Sequence, residues 1–233
     1  MAKMKYAIED RIARITFDDG KMNVMNWEFF NELNESLDKA RKDSAAAIIF
    51  TGRPGVFSAG LDLKLLVTQT LPEALKFQRA FAEIMLRIYL FPIPTIAAFS
   101  GHAIAGGAIL SFACDRFMVA DGPYKIQINE IANKMLIPTW INLICRAGIP
   151  QQWWKEALLH SHIYTPQEAA AKGIVDDLIA EGADVLAAAK VYAQDLFRLD
   201  AKAYSASKKV MRQKESDDAL QVFEKELVDW LVV

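Results

Sequence analysis

An α/β fold follows from three observations on the sequence. Short apolar runs of strand length alternate with longer stretches of helical period. Two turns rich in glycine and small residues each stand between a strand-like run and a helix-like one. Beyond Pro150 the pattern changes and the chain reads as mainly helical. These features assign residues 1–150 to an α/β core and 151–233 to a helical C-terminal segment. At 233 residues the chain suits one globular unit, or a main domain with a smaller appendage.

In chain order, residues 5–9 and 11–17 read as short strands, with Tyr6, Ile8, Ile15 and Phe17 at alternating positions. Gly20 ends that unit. Asn26 is a plausible N-cap for a helix carrying Phe30, Leu33, Leu37 and Ala40 at helical spacing. Residues 46–50 form a wholly apolar strand. Residues 72–90 form a long helix with Pro72 in its first turn and Phe77, Phe81, Ile84 and Ile88 on one face. Residues 95–99 read as a buried strand, 100–102 as the turn that follows, and Gly106 to Cys114 as a short buried helix. Residues 116–120 are another strand. The later helices are expected over 151–160, 166–172, 183–197 and 203–231, with a break near Ser216. No internal repeat, low-complexity linker or heptad run is visible.

Hydrophobic residues make up 53% and charged residues 24%, which excludes a disordered chain. A formal net charge of −2, from 27 basic and 29 acidic residues, argues against a non-specific nucleic-acid binder. The run from Ile88 to Cys114 carries no formal charge and has the length of a membrane span. Pro92, Pro94, Gly101, Gly106 and Gly107 break it into pieces the size of packed core elements, so no membrane association is expected. Cys114 and Cys145 lack both a disulfide framework and metal-ligand spacing, and read as buried thiols. The first residues hold no signal-peptide core, and Leu-Val-Val at the end is no peroxisomal address, so a cytoplasmic location is expected.

The chemistry is carried by two turns. The first is Phe57-Ser58-Ala59-Gly60-Leu61-Asp62-Leu63, and the second is Gly101-His102-Ala103-Ile104-Ala105-Gly106-Gly107. Each exposes backbone amides at a strand-to-helix junction, where a helix N-terminus adds partial positive charge. Two such amides aimed at one point would make an oxyanion hole. Neither turn matches a dinucleotide or phosphate-loop pattern. Glycine turns also serve simply as tight corners, and the residues alone leave that alternative open.

The two turns together resemble the crotonase (enoyl-CoA hydratase/isomerase) superfamily. Phe57 to Leu63 is similar to the version in its mitochondrial-type 3,2-enoyl-CoA isomerase branch. Ala105-Gly106-Gly107, Cys114-Asp115 and Asn129-Glu130 fall in the family's order, and Asn23-Val24-Met25-Asn26 resembles the segment that opens its first helix. The resemblance implies a spiral core of ββα repeats with a helical C-terminal segment. It implies an acyl-CoA thioester substrate whose oxygen is held by the amides of Leu61 and Gly106. The Ser58-Ala59-Gly60 turn with Asp62, and Asn129, would lie on the substrate. No separate cofactor and no metal are implied, CoA being part of the substrate. A homotrimer or a pair of trimers is implied as the assembly.

Hydratases of this pattern carry two carboxylates, because adding water needs one group to activate it and another to protonate carbon. Here Ile109 stands at the first position and Glu130 at the second. A lone carboxylate suits double-bond migration, which points to an isomerase with Glu130 as base. The alternatives are a hydratase or other crotonase-type reaction, and a non-catalytic acyl-CoA-binding scaffold. Without the flanking motifs, Glu130 would read as a solvated acid at a helix start. Trp153, Trp154, Phe77, Phe81 and Trp140 read as core, with an acyl-pocket lining as the alternative. Lys208, Lys209, Arg212 and Lys214 read as a solvated face, with a CoA-phosphate contact as the alternative. His102, His160 and His162 accompany no nucleophile motif, and Ser58 and Ser111 lack a hydrolase elbow.

Overall fold

The computed structural model describes residues 4–231. Strands β1 (Met4–Glu9) and β2 (Ile12–Phe17) make an antiparallel hairpin. Its two-residue turn has positive φ at both Asp10 and Arg11, 49° and 63°, a twist that suits a tight hairpin. Helix α1 (Trp27–Lys42) follows, with Asn26 Oδ1 accepting from the Phe29 N–H at 3.0 Å as its cap. The expected face is buried, Phe30, Leu33, Leu37 and Ala40 joined by Phe29.

Three ββα units then succeed one another. Strands β3 (Ala47–Gly52) and β4 (Gly55–Ser58) precede the short α2 (Leu63–Leu66) and the long α3 (Leu71–Tyr89). Strands β5 (Thr95–Phe99) and β6 (Gly101–Ile104) precede α4 (Gly106–Ala113). Strands β7 (Arg116–Ala120) and β8 (Ile126–Gln127) precede a 3-10 turn (Ile131–Asn133) and α5 (Thr139–Gly148). The rest holds α6 (Pro166–Ala171), β9 (Asp177–Ile179), α7 (Val185–Leu196) and α8 (Ala201–Leu231). In each unit the first strand joins a six-stranded sheet, ordered β1-β2-β3-β5-β7-β9. The second joins a three-stranded parallel sheet, ordered β4-β6-β8. The repeat is therefore one of geometry and leaves no trace in the residues.

The sheets are joined by an aromatic seam. Phe57 of β4 stacks on Phe99 of β5 with centroids 4.1 Å apart and planes 13° from parallel. Phe17 and Phe117 flank the pair at 5.3 and 5.4 Å. Every residue of β5 is buried, as expected of a strand covered on both faces. The uncharged run is thus core, and among the described residues no helix is long and apolar enough to cross a membrane.

Several expectations are corrected. Residues 100–102 are not a turn, since strand β6 starts at Gly101. A Cβ on Gly101 would lie 2.4 Å from the Val56 nitrogen, so this glycine marks close approach of β4 rather than a corner. No break occurs at Ser216, because α8 runs unbroken for 31 residues. The Ser216 hydroxyl donates to the Arg212 carbonyl one turn back at 2.8 Å, which satisfies it inside the helix. Residues 151–160 form a 3-10 turn (Gln151–Trp153) and a π turn (Lys155–Leu159) rather than a regular helix. Strand β9, unanticipated in the segment read as helical, pairs with β7.

The basic run is no uniform solvated face. Lys208 is buried and reaches Asp115 at 2.7 Å, and Arg212 reaches the same carboxylate at 2.9 Å and the Tyr89 carbonyl at 2.7 Å. These two cations clamp α8 to the core. Lys209 and Lys214 remain exposed.

Candidate active site

The three strands of the small sheet run parallel, so their C-terminal ends share one edge. Ligands gather at such edges because each strand there gives way to a loop or helix N-terminus. Ser58 pairs with Ala103, Ala103 with Ile126, and Ile104 with Gln127. From this edge β4 leads into Ala59 to Asp62, β6 into Ala105 and Gly106, and β8 into Asn129 and Glu130. The register therefore gathers the sequence-predicted residues at one end of one sheet.

The first turn is laid along residues 22–25. The Ala59 N–H donates to the Met22 carbonyl at 3.0 Å, the Met25 N–H to the Gly60 carbonyl at 2.8 Å, and the Asp62 N–H to the Met25 carbonyl at 3.0 Å. The Gly60 N–H donates to Ser58 Oγ at 3.1 Å. Three of the four amides from 59 to 62 are thus occupied, and among the described residues the Leu61 N–H has no protein acceptor. The Asp62 carboxylate caps α2, accepting from the Lys64 and Leu65 N–H groups at 3.1 and 3.3 Å. Ser58 is wholly buried, with its hydroxyl turned into the protein.

The second turn is strained. Ala105 has φ 48° and ψ −120°, a region L-residues rarely occupy, at a cost of order 1–3 kcal/mol. Its N–H donates to the Gln127 carbonyl at 2.8 Å, and its own carbonyl accepts from the Ile109 N–H at 2.9 Å. Gly106 is thereby the first residue of α4, where an amide has no intrahelical acceptor. The two turns touch. A Cβ on Gly60 would lie 2.7 Å from Ala105 Cβ and 2.8 Å from the Gly106 nitrogen, and one on Gly106 would meet Met25 Sδ at 2.8 Å and Phe81 Cζ at 3.1 Å. Gly60, at φ 83°, is there because nothing larger fits. The Leu61 and Gly106 amides, without an acceptor among the described residues, thus come from turns in van der Waals contact.

Glu130 precedes the 3-10 turn and is 5% exposed. Its carbonyl accepts from the Met135 N–H at 2.8 Å, and the Asn129 carbonyl accepts from Asn133 Nδ2 at 3.0 Å. The Glu130 Oε2 is buried and has no hydrogen-bond partner among the described residues. Burial pushes its pKa up from 4.5 to about 7, against partial opposition from the backbone N–H groups of Glu130 and Asn129. A proton acceptor of that strength, deprived of water, fits general-base work at neutral pH. Its charge also contributes to raising the buried Cys145 thiol on α5, after desolvation. Ile109 is completely buried in α4, so no second acid stands at that position.

Phe77, Phe81 and Trp140 are core side chains, Phe81 and Trp140 meeting edge to face at 5.0 Å. Phe81 also packs against Gly106, which puts this cluster beside the site. Trp154 donates its Nε1–H to the Ile149 carbonyl at 2.8 Å, and Trp153 lies under the Lys172 ammonium at 3.3 Å. His102 Nδ1 accepts from the Lys125 N–H at 3.0 Å. Among the described residues no cluster of His, Cys, Asp and Glu could hold a metal ion. A surface cavity of about 980 Å³, lined in part by Thr139, Arg146, Glu215 and Val222, lies between α5 and α8 and shares no residue with these turns. The residue whose role the sequence did not reveal is Asn23, which ties the first turn to β2 and β4. Its local signals are its place in the Asn23-Val24-Met25-Asn26 segment and an asparagine shortly after Gly20, a residue type that tolerates the left-handed φ of 50° found there.

Residues 7–228 match the family model described as enoyl-CoA hydratase/isomerase. The chain is 32% identical over 173 residues to human mitochondrial enoyl-CoA delta isomerase 1, an alignment spanning 73% of this chain and 57% of that relative's length. The crystal structure of human mitochondrial delta3-delta2-enoyl-CoA isomerase superposes with a TM-score of 0.91 at 27% identity, covering 99% of this chain and 91% of that one. An enoyl-CoA hydratase from Mycobacterium marinum superposes with a TM-score of 0.87 at 29% identity, covering 97% and 98%.

Proposed function

This chain belongs to the enoyl-CoA hydratase/isomerase family, and from that premise we propose that it moves the double bond of an enoyl-CoA thioester from position 3 to position 2. The observation that carries the reading is Glu130, a buried carboxylate with one unpartnered oxygen and a pKa of about 7, combined with isoleucine at the position of a second acid. The thioester oxygen accepts hydrogen bonds from the Leu61 and Gly106 amides. Glu130 takes a proton from C2, the electron pair of that C–H bond becomes the C1–C2 double bond of a dienolate, and the carbonyl π pair collects as negative charge on the thioester oxygen. The C3–C4 π electrons then take up the same proton at C4, the C1–C2 pair shifts to become the C2–C3 double bond and the thioester carbonyl re-forms, which regenerates the carboxylate. One base thus serves both transfers, and no water is consumed.

Energetics support this division of labour. A thioester α-proton is weakly acidic, so the base and the amides must share the barrier. One fixed oxyanion donor typically contributes about 3–4 kcal/mol, and a well-matched base about 10²–10⁴ in rate. The amides at the Gly60–Gly106 contact need no reorganisation, because the strained Ala105 and the packed glycines hold them in place. Turnover of 3-enoyl-CoA and 2-enoyl-CoA esters of several chain lengths tests the reading. Isomerisation of the 3-enoyl esters is expected to dominate. Water addition to crotonyl-CoA at a comparable rate would overturn it in favour of a hydratase, and turnover of neither would leave a binding scaffold.

A further inference from the structure

We infer that Ser58 and Asn23 are positioning residues that aim the Leu61 amide without touching substrate; this rests on the reading of Leu61 as a donor to the thioester oxygen. Gly60 is the soft joint of the turn. Its φ of 83° and the 2.8 Å approach of the Gly106 nitrogen to any Cβ demand glycine, and glycine is the residue with most freedom to move. Both of its polar atoms are pinned. The Gly60 carbonyl and the Leu61 N–H belong to one trans peptide unit and point opposite ways. The Met25 N–H on that carbonyl at 2.8 Å therefore directs the Leu61 N–H away from the 22–25 segment. The other side of the joint is the Gly60 N–H, held by Ser58 Oγ at 3.1 Å.

The Ser58 hydroxyl is in turn fixed by donating to the Asn23 carbonyl at 2.7 Å. Asn23 is 1% exposed, and its carboxamide is used on both sides. Nδ2 donates to the Phe17 carbonyl at 3.1 Å and the Phe57 carbonyl at 3.0 Å, and Oδ1 accepts from the Asp19 N–H at 2.9 Å. These bonds reach the last residue of β2 and the interior of β4, so the Asn23 carbonyl is an anchor set by both sheets. Through Ser58 it locks the peptide plane before Gly60, while Met25 locks the plane after it. Ser58 therefore works inside the protein, behind the turn.

The test uses Ser58→Ala and Asn23→Asp in the full chain. Asn23→Asp keeps the acceptor and loses both N–H donors. Complete loss of one oxyanion donor lowers kcat by about 10²–10³, and an amide left in place but poorly aimed should lose about 10–100-fold. KM for a 3-enoyl-CoA should stay within about twofold, because the bond strengthens mainly in the transition state. Amide hydrogen exchange at Gly60, measured on the unliganded variants, should accelerate at least about tenfold while α4 stays protected. A rate that falls only in proportion to the folded fraction, or unchanged kcat, overturns the inference. If the parent protein does not isomerise 3-enoyl-CoA, the functional reading fails separately. Exchange at Gly60 then decides, and unchanged protection refutes the pinning.

Discussion

Replacing Glu130 with glutamine separates what the carboxylate does to the fold from what it does for the reaction. An ordinary glutamate loses its proton near 4.5, whereas burial holds Glu130 protonated up to about 7. The gap is equivalent to about 3 kcal/mol at about 1.4 kcal/mol per pKa unit. Its sign is unfavourable. The unfolded chain releases the proton near 4.5 while the folded chain retains it, so the contribution is fully present at acid pH and is lost as pH rises towards 7. Glutamine does not titrate. The stability of Glu130→Gln relative to the parent should therefore climb by about 3 kcal/mol between pH 4 and pH 8. At about 2–4 °C per kcal/mol for a domain of this size, the relative Tm should climb by roughly 6–12 °C.

The variant's unpaired amide N–H adds a penalty that is the same at every pH, and so does not affect the climb. Thermal unfolding followed by circular dichroism across that range reads the effect directly. The same variant should lose about 10²–10⁴ in kcat, and the parent's rate should rise with pH through about 7 as the base ionises. A Tm difference that does not change with pH would mean that Glu130 titrates as a solvated acid. Glu130 would then not be the buried base of the reaction.

Three further substitutions probe the supports of the site. Gly60→Ala would place a Cβ 2.7 Å from Ala105 Cβ at φ 83°, and should cost at least about 1–3 kcal/mol in urea unfolding together with a lower kcat. Asp115→Asn would leave buried Lys208 and Arg212 without their counter-charge. Breaking such a pair from one side typically costs about 3–5 kcal/mol, and faster amide exchange along α8 would locate the damage. Asn26→Ala removes the cap of α1 and should cost about 1 kcal/mol with kcat unchanged, since α1 supplies no group to the reaction.

All of the large sheet but β9 was legible in the sequence and the small sheet was not, for a physical reason. Strands β3, β5 and β7 are covered on both faces, so they read as continuous apolar runs. Strands β4, β6 and β8 span four, four and two residues and include Gly55, Gly101 and Ser58. They are extended because neighbouring backbones fit against them, not because their residues favour it. The two turns stood out through their small residues. The Asn23 network did not, because its amide bonds to Phe57 across 34 positions. The basic run was open to misreading for the same reason. What buries Lys208 is Asp115, 93 positions away, and no local pattern carries that partnership.

The site is a place where the fold gives up stability, and the losses share one cause. Ala105 sits in a disfavoured conformation so that Gly106 can begin α4 beside Gly60. Glu130 is held from water so that its proton affinity matches neutral pH. On the proposed isomerase reading, both costs come from fixing groups in advance where charge moves during the reaction. They can be sustained only on a rigid base. Helix α4 is the rigid element, with all eight residues buried, and Ile109 is one of them. A carboxylate at Ile109 would bring a second buried acid into the element that bears the Ala105 strain. An apolar residue there keeps the packing that steadies the Gly106 amide. On the proposed reading, the isoleucine that withholds a second proton-transfer group therefore also strengthens the support of the turn that carries the Gly106 amide.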